Sequence, residues 1–158
     1  MRVAVASDHA GFPLKKTVIA AVKNAGGIPI DLGTHNTKSV DYVDFVEKLC
    51  QEINRGEAER GILLCGSGVG ASIAANKIMG IYAAICHDVY SAHQGVEHDA
   101  MNVLCLGGRI IGSELAKELV SVFLNAKFIG QEPGEERHAR RVEKVRAIEH
   151  KNFRPIVG

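Results

Sequence analysis

Short apolar runs alternate with longer amphipathic segments along the chain. Residues 2–7 (RVAVAS) form the first apolar run, and apolar side chains then recur at helical spacing from Leu14 to Ala25. Further strands are predicted within 26–33, 61–65, 82–87 and 102–108, and further helices over 40–56, 69–78, 90–97 and 112–125. This order predicts an α/β fold, a single-domain doubly wound (Rossmann-like) five-stranded parallel sheet with helices on both faces.

The last part of the chain differs from this pattern. Residues 130–136 (GQEPGEE) are rich in glycine and glutamate and precede one more helical segment that is highly charged. Such a connection separates the last helix from the sheet. We therefore expect residues 130–158 to form a C-terminal helical tail that contacts a partner subunit.

Composition restricts the class of protein. The 158 residues are 46% hydrophobic with a net charge of +1, which suits one domain over 1–158 and gives no overall field for nucleic acid or membrane partners. The N-terminus carries no leader pattern and no apolar run is long enough to span a membrane, so we expect a cytoplasmic location.

The four cysteines form no C-x-x-C pair and predict neither a zinc site nor a disulfide framework.

The segments that follow the predicted strands carry most of the candidate chemistry. They are SDHAGF (7–12), CGSGVG (65–70), HDVYSAH (87–93) and GGRIIG (107–112). In an open parallel sheet the loops after the carboxyl ends of the strands meet in one crevice, where helix N-termini and backbone amides converge. We therefore expect the binding site there.

The segment CGSGVG has glycines at alternate positions 66, 68 and 70. These allow successive amide N–H groups to turn toward one anion at the start of a helix. The pattern lacks the lysine of a P-loop and the spacing of a dinucleotide fingerprint. A phosphate or oxyanion cradle and a purely structural turn both remain open.

Cys65 ends an apolar strand beside this turn. Helix-terminal amides stabilise an adjacent thiolate, so this cysteine is a candidate reactive group. The alternative is that its side chain is simply a small buried hydrophobe. The other three cysteines, Cys50, Cys86 and Cys105, are predicted to be packing residues.

Three polar positions are further candidates, each with a structural alternative. Asp8 and His9 follow the first strand and can bind hydroxyls or phosphate, although Asp8 can equally cap a turn. His98 precedes the last strand and can act as an acid or base near neutral pH, or be a surface histidine. His87 and His93 are interpreted as structural.

Arg137 and Arg141 are four residues apart on one side of a predicted helix. They can clamp a phosphate, or they can belong to a solvated face.

Together the motifs resemble the ribose-5-phosphate isomerase B family, which includes galactose-6-phosphate and tetrulose-phosphate isomerases. They are SDHAGFPLK, DLGTH, VDY, CGSGVGASIAANK, SAHQGVEHDAMNVLCLGGRIIGSELAK and RHARRVEKVRAIE, which span essentially the whole chain in order. The most specific piece is GSGVGASIAANK. The resemblance implies a cofactor-independent aldose–ketose isomerase, by default of ribose 5-phosphate, that needs no metal.

The resemblance also implies a role for each candidate. Cys65 would be the base that moves a proton between C1 and C2, with Ser67 assisting at the oxygens and backbone amides of the turn stabilising the enediolate. His98 and Asp8 would open the furanose ring. Tyr42 and Asp99 would contact the sugar. The turn that binds the enediolate comprises Gly66, Ser67, Gly68, Val69 and Gly70. The phosphate would be bound by His9, Arg109, Arg137 and Arg141. Some of these phosphate-binding residues would come from a partner subunit in a homodimer or tetramer.

Several positions depart from the family pattern, among them Asp99 and Val43. Asp99 stands where an asparagine is common, and Val43 stands where a proline is common. An ionised aspartate only accepts hydrogen bonds, whereas an asparagine both donates and accepts. The sugar therefore stays open between a pentose, a tetrulose 4-phosphate and a hexose 6-phosphate. A sugar-phosphate-binding module without catalysis is the alternative from another class.

Overall fold

The protein is described by a computed structural model over residues 1–153, and its five strands form one parallel sheet. The strands are β1 (Arg2–Ser7), β2 (Ile28–Asp31), β3 (Arg60–Cys65), β4 (Ala83–Ile85) and β5 (Val103–Gly107). The helices are α1 (Phe12–Asn24), α2 (Tyr42–Asn54), α3 (Val69–Ala75), α4 (Val89–Asp99), α5 (Ser113–Asn125) and α6 (Glu136–Asn152). The predicted α/β fold is confirmed. None of the helices within 1–153 is long and apolar enough to cross a membrane.

Helices cover the sheet on both faces because alternate side chains of each strand point to opposite sides. Val3 and Val5 of β1 join one core cluster, with residues of α1, α4 and α5 such as Val22 and Phe123. Ala4 and Ala6 join the other cluster, with residues of α2 and α3. These near-continuous apolar strands are therefore buried on both sides, as the sequence pattern predicts.

The strand order β2-β1-β3-β5-β4 brings the chemically interesting loops together. β3 lies between β1 and β5, with Ser7 paired to Leu64 and Cys65 paired to Gly107. The carboxyl ends of these three strands therefore lie side by side at one edge of the sheet. The position of β5 between β3 and β4 follows from the structure and was not predicted.

The prediction of a detached C-terminal tail is wrong for the described residues. α6 packs on α4 of its own chain, and His138 and Val142 are buried in that contact. Farther along α6, Glu149 accepts hydrogen bonds from Gly80 N–H at 2.8 Å and from the Tyr82 hydroxyl at 3.3 Å. A narrow stripe of buried side chains four residues apart docks the helix, although its other faces are charged. Residues 154–158 of the predicted tail lie outside the described residues.

Candidate active site

A cleft of about 330 Å³ lies where β1, β3 and β5 end. It is lined by Asp8, Tyr42, Cys65, Gly66, Ser67, Gly70, Arg109 and Ile110. Another cleft of about 310 Å³ lies between α1 and α5, so volume alone does not identify a site. The first cleft is distinguished by its chemistry, since it combines a thiol, a glycine-rich turn, a carboxylate and a guanidinium.

Cys65 lies at the base of this cleft and is 5% exposed. Gly68 N–H donates a hydrogen bond to Cys65 Sγ at 3.0 Å. This hydrogen bond fixes the position of the sulfur beside the glycine-rich turn. The cysteine therefore has both the location and the local donor that a catalytic base needs.

The other three thiols have a different environment. Burial raises the pKa of Cys50 to about 11, and burial with the nearby Asp88 carboxylate raises the pKa of Cys86 to about 11. Burial raises the pKa of Cys105 further. All three side chains are buried and none lines the cleft, which agrees with their predicted packing role.

The glycine-rich turn has the conformation that its sequence indicates. Gly68 has a φ of 84°, in the left-handed region that glycine adopts without strain, and α3 begins at the next residue. Gly70 allows a close approach, because a Cβ there would lie 2.6 Å from Tyr42 Cζ. The Tyr42 ring can therefore lie directly against the start of α3 and form a wall of the cleft.

Asp8 has the turn-capping contacts that were the alternative to a catalytic role. Its Oδ1 accepts hydrogen bonds from Ala10 N–H and Gly11 N–H, both at 2.8 Å. The carboxylate also lines the cleft, so capping holds it there and does not remove it from the site. The neighbouring His9 accepts a hydrogen bond from Val40 N–H at its Nδ1, at 3.2 Å.

The loop after β5 supplies the cation of the cleft. Gly108 N–H donates to the Cys65 carbonyl at 2.8 Å, and Arg109 N–H donates to the Gly66 carbonyl at 3.0 Å. A Cβ on Gly66 would be 3.8 Å from Arg109 Nη1, which places the guanidinium beside the glycine turn. This is a suitable position for binding a phosphate. Ile110 also lines the cleft and was not predicted, because its sequence signal is only an apolar residue in a glycine-rich loop.

Seven of the predicted site residues are not among those that line this cleft. Three of them, His9, Gly68 and Val69, adjoin lining residues along the chain. The other four lie on α4 and α6: His98, Asp99, Arg137 and Arg141. The His98 ring stacks on the His138 ring, and its Nδ1 is 2.8 Å from Gln94 Nε2. Asp99 lines a separate cleft of about 330 Å³ with Tyr82 and Val145. A single chain therefore carries two groups of site residues that it does not bring together.

The second group surrounds a buried histidine. Burial, the nearby His98 and the positive charges of Arg137 and Arg141 lower the pKa of His138, while Glu135 opposes them. The His138 ring is buried, and its Nε2 lies 3.2 Å from Glu135 Oε2. Arg137 is exposed, pairs with Glu135 at 2.8 Å and donates to the Gly134 carbonyl at 3.0 Å. The cations of this group are Arg137 and Arg141, and a guanidinium is suited to binding a phosphate.

Within the described chain, no cluster of three or more histidine, cysteine or acidic side chains could hold a metal ion. The cleft itself presents a thiol, a carboxylate, a guanidinium and the backbone amides named above.

Comparisons with known proteins agree with the fold and the motifs. Residues 3–145 match the family described as Ribose/Galactose Isomerase. The chain is 41% identical over 150 residues to ribose-5-phosphate isomerase B of Escherichia coli, covering 95% of this chain and 97% of that protein. It is 38% identical over 151 residues to D-erythrulose-4-phosphate isomerase of Pectobacterium atrosepticum, covering 95% and 96%. Its structure resembles that of Clostridium thermocellum ribose-5-phosphate isomerase B with a TM-score of 0.88 and 44% identity, covering 96% and 99%.

Proposed function

The chain belongs to the ribose/galactose isomerase family, and we propose that it interconverts ribose 5-phosphate and ribulose 5-phosphate through an enediolate, with Cys65 as the base. It is an aldose–ketose isomerase of phosphorylated sugars. The observation that carries the choice of base is the hydrogen bond of 3.0 Å from Gly68 N–H to Cys65 Sγ at the floor of the cleft.

The reaction needs one group that takes a proton from C2 of the aldose and returns it to C1. The Cys65 thiolate takes the C2 proton, and the resulting enediolate carries a negative charge on O1. The hydroxyl proton then passes from O2 to O1 with the help of the Ser67 hydroxyl. The thiol returns its proton to C1, which leaves the carbonyl at C2. Amides of the turn from Gly66 to Gly70 and the Ser67 hydroxyl are the donors that would stabilise those oxygens. Fixed donors of this kind are effective because they need no rearrangement as the charge develops.

A second copy of the chain is needed to complete this site. The ring-opening candidate His98, the sugar-binding candidate Asp99 and the clamp of Arg137 and Arg141 lie outside the cleft of their own chain. We therefore assign them to the cleft of a neighbouring copy, in a homodimer or a tetramer of such dimers. In support, apolar side chains near the cleft are exposed, which is typical of a surface that another chain covers; they are Tyr42, Val69, Ile73 and Ile110.

The relatives named ribose-5-phosphate isomerase B support ribose 5-phosphate as the sugar. A tetrulose 4-phosphate is the second candidate, because the Pectobacterium relative is named D-erythrulose-4-phosphate isomerase at 38% identity. A hexose 6-phosphate is the third. Asp99 is relevant to this choice, since a carboxylate at the sugar accepts hydrogen bonds and donates none when ionised.

The test is a panel assay of the purified protein against tetrose, pentose and hexose phosphates, in both directions and without added metal. We expect the highest kcat/KM with ribose 5-phosphate and ribulose 5-phosphate. A higher value with D-erythrulose 4-phosphate would move the assignment to the tetrulose. Binding without turnover on any of them would favour a binding module instead.

A further inference from the structure

His87 lies between β4 and α4 and does not line the cleft. It does contact β5, one of the strands that end at the cleft. Its Nε2 accepts a hydrogen bond from Gly107 N–H at 2.9 Å. Only an imidazole without a proton on Nε2 can accept this bond, so the neutral ring must carry its proton on Nδ1. Asp88 next to it is engaged elsewhere, since its carboxylate caps α4 by accepting from Ser91 N–H at 2.7 Å.

Gly107 is in direct contact with the glycine turn of the cleft. It is the last residue of β5 and pairs in register with Cys65 of β3. A Cβ at Gly107 would lie 2.9 Å from the backbone carbonyl carbon and oxygen of Ser67. Gly107 is also buried, and its N–H is bonded to His87.

The residues after Gly107 depend on its position. Its carbonyl accepts hydrogen bonds from Ile110 N–H at 2.9 Å and Ile111 N–H at 3.1 Å, which folds the loop back on itself. The same loop donates to the carbonyls of Cys65 and Gly66 and carries Arg109 into the cleft. A movement of Gly107 would therefore shift the thiol, the turn and the guanidinium relative to one another.

We propose that His87 is a positioning residue of the isomerase, whose Nε2 holds the Gly107 amide so that Cys65, Ser67 and Arg109 keep their mutual geometry. This inference rests on the proposed function of the cleft. In support, burial lowers the pKa of His87, which favours the neutral ring that can accept the bond. Without the acceptor, the buried Gly107 amide would lose its partner and the end of β5 would move to find another.

The activity test compares two substitutions of this histidine. His87→Leu removes the acceptor at similar volume, and we expect kcat/KM for ribose 5-phosphate to fall about tenfold to a hundredfold, because small misplacements of reacting groups are costly. His87→Gln keeps an acceptor oxygen within reach, and we expect kcat/KM within about threefold of wild type. Equal losses in both variants would overturn the proposal.

A matched control separates positioning from stability. Val22→Ala removes buried core volume in α1 away from the cleft, and we expect a lower melting temperature with unchanged kcat/KM. If His87→Leu reduces kcat/KM no more than Val22→Ala does at the same temperature, its effect is only structural and the proposal fails.

A spectroscopic measurement tests the role of His87 independently of the proposed isomerase activity. Nitrogen NMR of the wild-type protein at neutral pH should report the His87 ring with its proton on Nδ1, and the Gly107 amide as protected from hydrogen exchange. A proton on Nε2 would overturn the proposal. If the wild-type protein turned over no sugar phosphate, the proposed function would fail while these NMR results would still decide the role of His87.

Discussion

The imidazole rings of His98 and His138 stack with their centroids 4.0 Å apart and their planes inclined by 24°. His98 belongs to α4 and His138 to α6, so the stack fixes the last helix against the helix that carries the ring-opening candidate. Arg137 and Arg141 lie on α6 near this stack. The histidine pair thus holds together the residues that we assign to ring opening and phosphate binding.

His98→Asn should slow the isomerisation of a sugar that cyclises. We expect kcat/KM for ribose 5-phosphate to fall about a hundredfold or more, because a general acid or base is lost. Turnover of D-erythrulose 4-phosphate should be spared, because a four-carbon sugar cannot close a furanose through its phosphorylated terminus. His93→Asn, on the same helix and paired with Glu97, is the matched control. Equal losses on the two sugars would mean that His98 positions substrate and does not open rings.

Stability should depend on pH through His138. Burial, then the nearby His98 and arginines, lowers the pKa of this histidine in the folded state. The unfolded chain therefore takes up the proton first, at a pH of about 6.5. Stability should be complete above that pH and decrease as the pH falls toward the folded pKa. Urea unfolding measured across this range should show a weaker decrease for His138→Phe, which keeps a stacking ring without a titrating group.

His87 also has a pKa lowered by burial, so part of the decrease should remain in His138→Phe. The same dependence of the free energy of unfolding on pH in wild type and His138→Phe would show that His138 is not protonated differently in the two states.

The sequence predicted that four loops would meet, and three of them supply lining residues of the cleft, whereas residues 87–93 supply none. Asp8, Cys65 and Arg109 were expected to converge because each follows a strand of a parallel sheet, and they do line one cleft. The place of β5 beside β3 was not predictable, since short apolar strands look alike in a hydropathy pattern. The contact of His87 with Gly107 spans 20 positions along the chain and has no local signal.

The error over the C-terminal helix has a similar origin. Its charge suggested a solvated face, and only His138 and Val142, four residues apart, are buried. A stripe of two residues, one of them a histidine, is too weak a pattern to predict docking on α4. The assignment of Arg137 and Arg141 to a neighbouring copy therefore rests on their absence from the cleft of their own chain, and not on a detached tail.

Gly70→Ala should disturb the sugar side of the cleft while the fold remains intact. The new Cβ would lie 2.6 Å from Tyr42 Cζ and 2.8 Å from its hydroxyl, so the half-exposed ring must swing away. We expect KM for ribose 5-phosphate to rise severalfold, with a small change in melting temperature. Gly112→Ala, where a Cβ meets nothing within 4 Å, is the matched control and should leave KM unchanged. An unchanged KM in Gly70→Ala would remove Tyr42 from the sugar site.

Loss of Arg137 or Arg141 should weaken phosphate binding. Each charge-assisted contact is worth about 1.5–3 kcal/mol when shielded from water, so Arg137→Ala or Arg141→Ala should raise KM about tenfold or more. The effect on kcat should be smaller, because the phosphate contact persists through the reaction. Steady-state kinetics with ribose 5-phosphate measures both values. Arg140→Ala, on an exposed position of the same helix, is the control.

Mixed dimers test whether these arginines act across an interface. Inactive Cys65→Ala chains are dissociated and reassembled with chains that carry Arg137→Ala and Arg141→Ala together. If the arginines serve the neighbouring cleft, a mixed dimer has one site with both defects and one with neither, and activity partly returns. No recovery in confirmed mixed dimers would place the clamp within a single chain.

Cys105→Ala provides the reference for the central claim. This thiol is fully buried in β5, so its removal should lower the free energy of unfolding by about 1–3 kcal/mol. Because Cys105 does not line the cleft, kcat/KM should stay near the wild-type value. Urea unfolding and steady-state kinetics on the same preparation measure the two effects. If Cys105→Ala lost activity but not stability, the roles assigned to Cys105 and Cys65 would be reversed.

The most direct measurement follows ribose 5-phosphate in deuterated water by proton NMR, with wild type and Cys65→Ala compared at equal protein concentration. The account predicts that Cys65→Ala forms no ribulose 5-phosphate and exchanges no proton at C2, because the proton acceptor is gone. Binding of the sugar phosphate by calorimetry should stay within about tenfold of wild type, because the amide turn and Arg109 remain. Near-normal turnover, or exchange at C2 in the variant, would contradict the assignment of Cys65 as the base.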